Sequence, residues 1–166
     1  MQPPPPEDDP LSQLIGLSAL RPALEMRCQM AGPYMVDHPA SGAGEAVFHL
    51  VLAGACRVDA EGVSLRAGAG DLMLLPRGAA HRLYCVTARP HDPAWRQHWP
   101  GIWPGVWAGP HPEPPELDVL CGKFTYLPPP GALLFAGLPA AAVVPAHAIP
   151  PAFGALIRHE AAARAP

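Results

Sequence analysis

Proline and glycine constrain this chain more than any other feature: 25 of its 166 residues are proline and 16 are glycine. Proline removes a backbone donor and fixes φ, so few long helices and many turns are expected. Charged residues make up only 15% of the chain, and its length suits one domain with a single core. These features point to a mainly β domain built of short strands.

The formal net charge is -3, and the 11 basic residues are scattered. Without a cluster of Lys and Arg to grip phosphates, DNA binding by this chain alone is not expected. The opening MQPPPPEDDP is acidic and proline-rich and lacks the basic and apolar regions of a secretory signal. Cys28, Cys56, Cys85 and Cys121 stand singly, with no CxxC pair, which fits reduced thiols and a cytoplasmic protein. The apolar stretch GALLFAGLPAAAVVPA (131–146) is short, is broken by Pro139 and lacks flanking basic residues. It is expected in the core and not in a membrane.

Residues 1–8 are expected to be a disordered tail, and 9–166 one domain. Asp9 offers an N-cap and Pro10 suits a first helical turn, with Leu11, Leu14, Ile15 and Leu17 at helical spacing before Arg21-Pro22. This predicts a short amphipathic helix resting on an apolar surface. From Leu24 to Tyr126 the stretches ALEMRCQM, EAVFHLVL, ACRVDAEGVSLRA, DLMLLP, HRLYCVTA and LDVLCGKFTYL read as strands. Glu61-Gly62 supplies a hairpin turn, with positive φ expected on the glycine. Short strands at such intervals indicate a sandwich or barrel.

A Trp/Pro-rich insertion at 91–116 interrupts the series. Trp95, Trp99, Trp103 and Trp107 recur every fourth residue, but Pro100 and Pro104 forbid a regular helix. One reading is an aromatic lid in which Trp95, Trp99 and Trp103 contact a ligand. The other is a low-complexity insertion that is partly disordered or lies on the outer surface. A C-terminal helix is expected in PAFGALIRHEAAARA, with Phe153, Leu156 and Ile157 on its apolar face. The chain stops at Pro166 just beyond it, which suggests a cut chain.

The stretch GDLMLLPRGAAHRLYC (70–85) carries most of the functional information. Gly70 turns the chain into a strand, Pro76-Arg77-Gly78 makes a tight corner, and His81 opens the next strand. This Gly, Pro, Gly and His spacing resembles the second motif of the cupin superfamily, although Cys85 stands where that motif ends in asparagine. The resemblance implies a cupin-like double-stranded β-barrel, or jelly roll, with a short N-terminal helix and a C-terminal helix.

The first cupin motif is not matched. Aligning its final glycine with Gly54 puts Val47 in place of the expected glutamate, and the expected His-x-His falls in ASGA, near 40–43. Alternation along the strand instead places His49 and Glu45 on the inward face with Val47. Candidate metal ligands are therefore His49, His81, Cys121 and Cys85. Cys85 is the weakest, because four strand residues span roughly 13 Å. His49, His81 and Cys121 lie on three strands that a small barrel can bring together, and two imidazoles with a thiolate would suit zinc. The competing reading is an apolar barrel in which these are hydrogen-bonded core residues. Cys85, Glu45 and the three tryptophans are candidate ligand contacts.

Taken together, DPLSQLIGLSALR, FHLVLAGACRV, LRAGAGDLMLLPRGAAHRL, LCGKFTY and the final helix resemble the N-terminal cupin-type ligand-binding domain of AraC-type transcriptional regulators. The resemblance implies effector sensing and a homodimer, with DNA contacted only through a C-terminal helix-turn-helix domain absent from this chain. No nucleophile, base and orienter series is evident, so catalysis is not expected. The alternatives are a stand-alone metal-dependent oxygenase or isomerase and a purely structural dimerisation module.

Overall fold

The computed structural model describes residues 9–30, 34–86, 95–98, 106–108 and 116–153, together with 155 and 159. The first element is α1 (Pro10–Ser18). The Asp9 side chain caps it, accepting from the backbone N–H groups of Leu11 and Ser12 at 3.4 and 3.0 Å. Leu11, Ile15 and Leu17 are exposed and only Leu14 is half-buried, so the expected apolar bed under this face is not found. The helix is anchored by its end. The buried Ser18 offers its carbonyl to the N–H of Leu127 at 2.7 Å, and α1 lies against α2 (Pro130–Phe135).

Among the described residues the strands are β1 (Arg21–Met30), β2 (Tyr34–His38), β3 (Glu45–Ala53), β4 (Ala55–Ala60), β5 (Val63–Gly68), β6 (Leu72–Leu75), β7 (His81–Cys85), β8 (Trp95–His98), β9 (Val106–Ala108), β10 (Leu117–Thr125) and β11 (Ala142–Val144). They form a six-stranded sheet, β11-β6-β3-β10-β1-β9, and a five-stranded sheet, β5-β4-β7-β2-β8. The arrangement is the expected jelly roll. Its ladders are antiparallel except at one edge of each sheet, where β9 and β8 pair in parallel with β1 and β2. Two stretches of the Trp/Pro-rich segment thus extend the sheets. Trp99 and Trp103 lie outside the described residues, and of Trp95 and Trp107 only the strand backbone is described.

Two turns show how local chemistry sets this path. Between β3 and β4 the chain leaves one sheet for the other at Gly54, with φ +80, and a Cβ there would collide with the Glu116 carbonyl oxygen. Between β4 and β5, Ala60 pairs with Val63 across a two-residue loop. Glu61 (φ 46) and Gly62 (φ 79) both take positive φ. The hairpin twist demands it at both central positions, not at the glycine alone.

The sheets enclose one core, which includes Met26, Cys28, Met30, Tyr34, Val51, Cys56, Met73, Leu83 and Val119. On the opposite side of the six-stranded sheet, Phe48, Leu50, Leu72 and Leu120 form a second cluster. The C-terminal segment covers that outer face through Val144, Ile149 and Phe153. Residues 151–153 are helical, but Leu156 and Ile157 lie outside the described residues. The apolar stretch 131–146 is core in part: Gly131, Phe135, Ala140 and Ala141 are buried, while Leu133 and Leu138 are exposed. Among the described residues no helix is long and apolar enough to cross a membrane.

Candidate metal centre

The corner after β6 works through Gly78. Its φ of +58 permits the tight turn, in which its N–H reaches the Leu75 carbonyl at 3.0 Å. Its own carbonyl accepts from the Ser41 N–H at 2.8 Å. A Cβ at Gly78 would stand 2.6 Å from the Ser41 Cβ, so glycine is needed for both space and conformation. The corner therefore fixes where β7 begins, and β7 begins with His81 pointing inward.

His81 lies opposite His38 on β2. His49, in the other sheet, lies opposite Cys121 on β10 and Met73 on β6. The two sheets thus present imidazoles to each other across the interior. His49 Nε2 and His81 Nε2 are 2.8 Å apart, and His49 Nδ1 is 3.0 Å from Cys121 Sγ. The His38 and His81 rings stack with centroids 4.5 Å apart and planes 5° from parallel. One ligand nitrogen from each of His38, His49 and His81 falls within 4.8 Å of the others. These residues border a cavity of about 150 Å³ that Met26, Cys121 and Gly122 also line. His38 and His81 face as well a wider cavity of about 400 Å³, bordered by Asp37, Asp59, Glu61 and Arg82.

One proton arrangement satisfies these contacts. His81 Nδ1 lies 2.9 Å from the Ala79 carbonyl, which can only accept, so Nδ1 carries the hydrogen and Nε2 is bare. His49 must then donate from Nε2 to His81, which leaves its Nδ1 to accept from the Cys121 thiol. Every group in the chain of contacts is neutral, and burial enforces this. Desolvation, with the neighbouring His81, pushes His38 down to about 3. Desolvation and the two other imidazoles push His49 well below its usual value. For His81 desolvation again dominates, opposed by the bond to Ala79. The Cys121 thiol is driven well up by its hydrogen bond with Cys28 and by burial.

Neutral imidazoles are the form that binds metals. In a tetrahedral zinc site with bonds of about 2.0–2.1 Å, ligand atoms lie roughly 3.3 Å apart. The Nε2 pair must therefore open slightly and His38 must close in. His81 is already oriented through its second nitrogen, as ligating histidines usually are. His49 would have to carry its hydrogen on Nδ1, with Cys121 sulfur as the acceptor. With that tautomer change, the three imidazoles fit a divalent cation.

The structure brings His49, His81 and Cys121 together as expected, but Cys121 reaches the edge of His49 turned away from His81. The third nitrogen of the group is His38. Sequence reasoning misses it because YMVDH does not stand out as a strand, although Tyr34, Val36 and His38 alternate inward before Pro39. Cys85, expected as a ligand contact, is buried in the core opposite Cys56 and does not line the histidine cavity. Glu45, also expected there, stands outside the cavity lining. It pairs with Lys123 Nζ at 2.9 Å and accepts from the Gly42 N–H at 3.1 Å.

Residues 9–166 match the model of a family described as Cupin. An uncharacterized HTH-type transcriptional regulator of Haemophilus influenzae is 29% identical over 132 residues, which cover 79% of this chain and 43% of that protein. The chain therefore spans less than half the length of this curated relative. Among solved structures, ToxT from Vibrio cholerae is similar with a TM-score of 0.42 and 8% identity, over 84% of this chain and 46% of ToxT. YhaK from Escherichia coli is similar with a TM-score of 0.41 and 11% identity, over 75% of this chain and 43% of YhaK. With all but its first eight residues matched by the family model, the chain belongs to the cupin family.

Proposed function

We propose that this chain is the effector-sensing domain of an AraC-type transcriptional regulator and that its histidine-lined cavity is the sensing site. The observation that carries the reading is the meeting of His38, His49 and His81 between the two sheets, within 4.8 Å, beside a cavity. The likeness to an HTH-type regulator supports the regulatory role. An ion or small molecule seated there would contact both sheets. Its binding energy could shift the domain between two states that a DNA-reading domain elsewhere in the full-length protein detects. Zinc is the proposed ion, the cytoplasm the compartment, and a homodimer the assembly.

Catalysis is not part of this reading. The contact between Cys121 and His49 has the residue types of a nucleophile–base pair, but a thiol pushed up and an imidazole pushed down form no thiolate. Three imidazoles would leave positions open on a bound metal, which favours a metal-dependent oxygenase or isomerase as the second reading.

Titration of metal-free protein with zinc, followed by calorimetry and thermal unfolding, tests the proposal. One equivalent should bind and raise the melting temperature, and His49→Ala or His81→Ala should abolish both effects. Zinc binding that survives these substitutions would overturn the site. Stoichiometric iron or manganese together with substrate turnover would favour the enzyme.

A further inference from the structure

Sulfur is concentrated beside the histidines. All four cysteines and Met26, Met30 and Met73 belong to the core cluster between the sheets. Burial as small or adaptable hydrophobes accounts for most of them. Met26, Cys28 and Cys121 require more. Met26 on β1 pairs directly with Cys121 on β10, which pairs with His49 on β3, so the three side chains form a row across adjacent strands. Cys28, two residues along β1, donates to Met26 Sδ at 2.8 Å. All three sulfur residues are buried, and Met26 and Cys121 line the 150 Å³ cavity. A thiol and a thioether thus face a space that a small ion can enter, and the Cys28 thiol stands behind the thioether at 2.8 Å.

We propose that Cys28, Cys121 and Met26 form a second site, selective for a soft monovalent cation, Cu(I). Thioether and thiolate donors together favour Cu(I), and a thioether is not among the usual zinc ligands. Within this set Cys28 sulfur touches Met26 sulfur, Met26 pairs across the strands with Cys121, and the nitrogen neighbour is His49 Nδ1. On binding, Cys28 and Cys121 each lose the S–H proton to solvent, and copper stays Cu(I) throughout. The site goes beyond the three-histidine reading, because its donors are different atoms.

The test is anaerobic titration of the reduced, metal-free chain with Cu(I) against a competing Cu(I) chelator. One equivalent should be held, two of the four thiols should be protected from alkylation, and copper X-ray absorption should report sulfur scatterers. Cys28→Ser and Cys121→Ser should each weaken binding by more than the roughly 10–100-fold typical of losing even an outer-shell partner. Met26→Leu, which conserves volume, should fold and show a smaller loss. His38→Ala should abolish zinc binding and leave Cu(I) uptake intact, which separates the two sites. Nitrogen-only scatterers, or Cu(I) uptake unchanged in the double cysteine variant, would overturn the proposal. If the serine variants fail to fold, the wild-type scattering and Met26→Leu decide it.

Discussion

Phe48 and His49, neighbours on β3 that point to opposite faces, are equally buried and chemically opposite. Outward, Phe48 is 1% exposed, packs against Phe124 with ring centroids 5.0 Å apart, and lies over Gly122, where a Cβ would collide with its ring. Inward, His49 is also 1% exposed, yet its neighbours are two imidazoles and a thiol. Burying a phenyl ring is favourable in itself, whereas an imidazole loses hydration and must find partners for both nitrogens. The outer face therefore contributes purely apolar packing, whereas the inner face, which also supplies Val51 to the core between the sheets, tolerates polar groups for what they can bind.

The largest expected effect comes from attacking the outer face. Phe48→Ala should lower stability by about 3–5 kcal/mol, the range for emptying a buried aromatic site. Urea unfolding measures it. Zinc affinity of the molecules that remain folded should stay close to wild type. A loss below about 1 kcal/mol would show that the C-terminal segment collapses into the gap and that the outer face matters less than its burial implies.

The inner face should reveal itself through acid. Below pH 6.5 the unfolded chain accepts a proton on His38, while the folded site refuses it until about pH 3. The unfolded state thus binds more protons across that window, so stability of the metal-free protein should fall as pH falls from 6.5 toward 3. His38 alone contributes a slope of up to about 1.4 kcal/mol per pH unit. Above pH 6.5 this contribution is full and flat. Urea midpoints measured at successive pH values should show a slope that His38→Gln reduces. A wild-type profile without slope between pH 6.5 and 4.5 would mean that water already reaches the ring.

The corner after β6 is legible in the sequence because each of its residues acts locally. Pro76 ends the strand, Gly78 takes the left-handed conformation, and His81 follows at fixed spacing. The N-cap at Asp9 is legible for the same reason. His49 emerges from period-two alternation, which is also local. What cannot be read depends on partners distant in the chain. His38 gains its meaning only from pairing with β7, and although Cys121 is legible as a candidate ligand, the edge of His49 that it faces is not. The exposed face of α1 shows the converse. Its helical periodicity is correct, but periodicity does not say which element, if any, lies beneath it.

Between the stability and binding effects sits Gly78→Ala. A left-handed conformation costs a residue with Cβ about 1–2 kcal/mol, and the Ser41 contact adds to it. Because His81 begins three residues later, the same change should also weaken zinc binding. Loss of stability without loss of zinc affinity would show that the corner braces the fold without aiming the histidine.

The smallest effect belongs to the rim, where the inward face of β10 approaches water. Two residues beyond Cys121, Lys123 Nζ bridges Glu25 at 3.0 Å and Glu45 at 2.9 Å, and its pKa is raised first by Glu45 and then by Glu25. The Lys123 side chain is 30% exposed, so solvent screens much of this attraction. Lys123→Met should therefore cost only about 0.2–1 kcal/mol. It leaves two carboxylates unbridged, so the cost should be largest at low ionic strength and shrink as the screening length falls toward about 10 Å at 0.1 M salt. The acid sensitivity of the histidines arises from desolvation and should persist in the same salt series. A Lys123→Met loss that salt does not reduce would place the bridge inside the protein, and the contrast between a screened rim and a desolvated interior would fail.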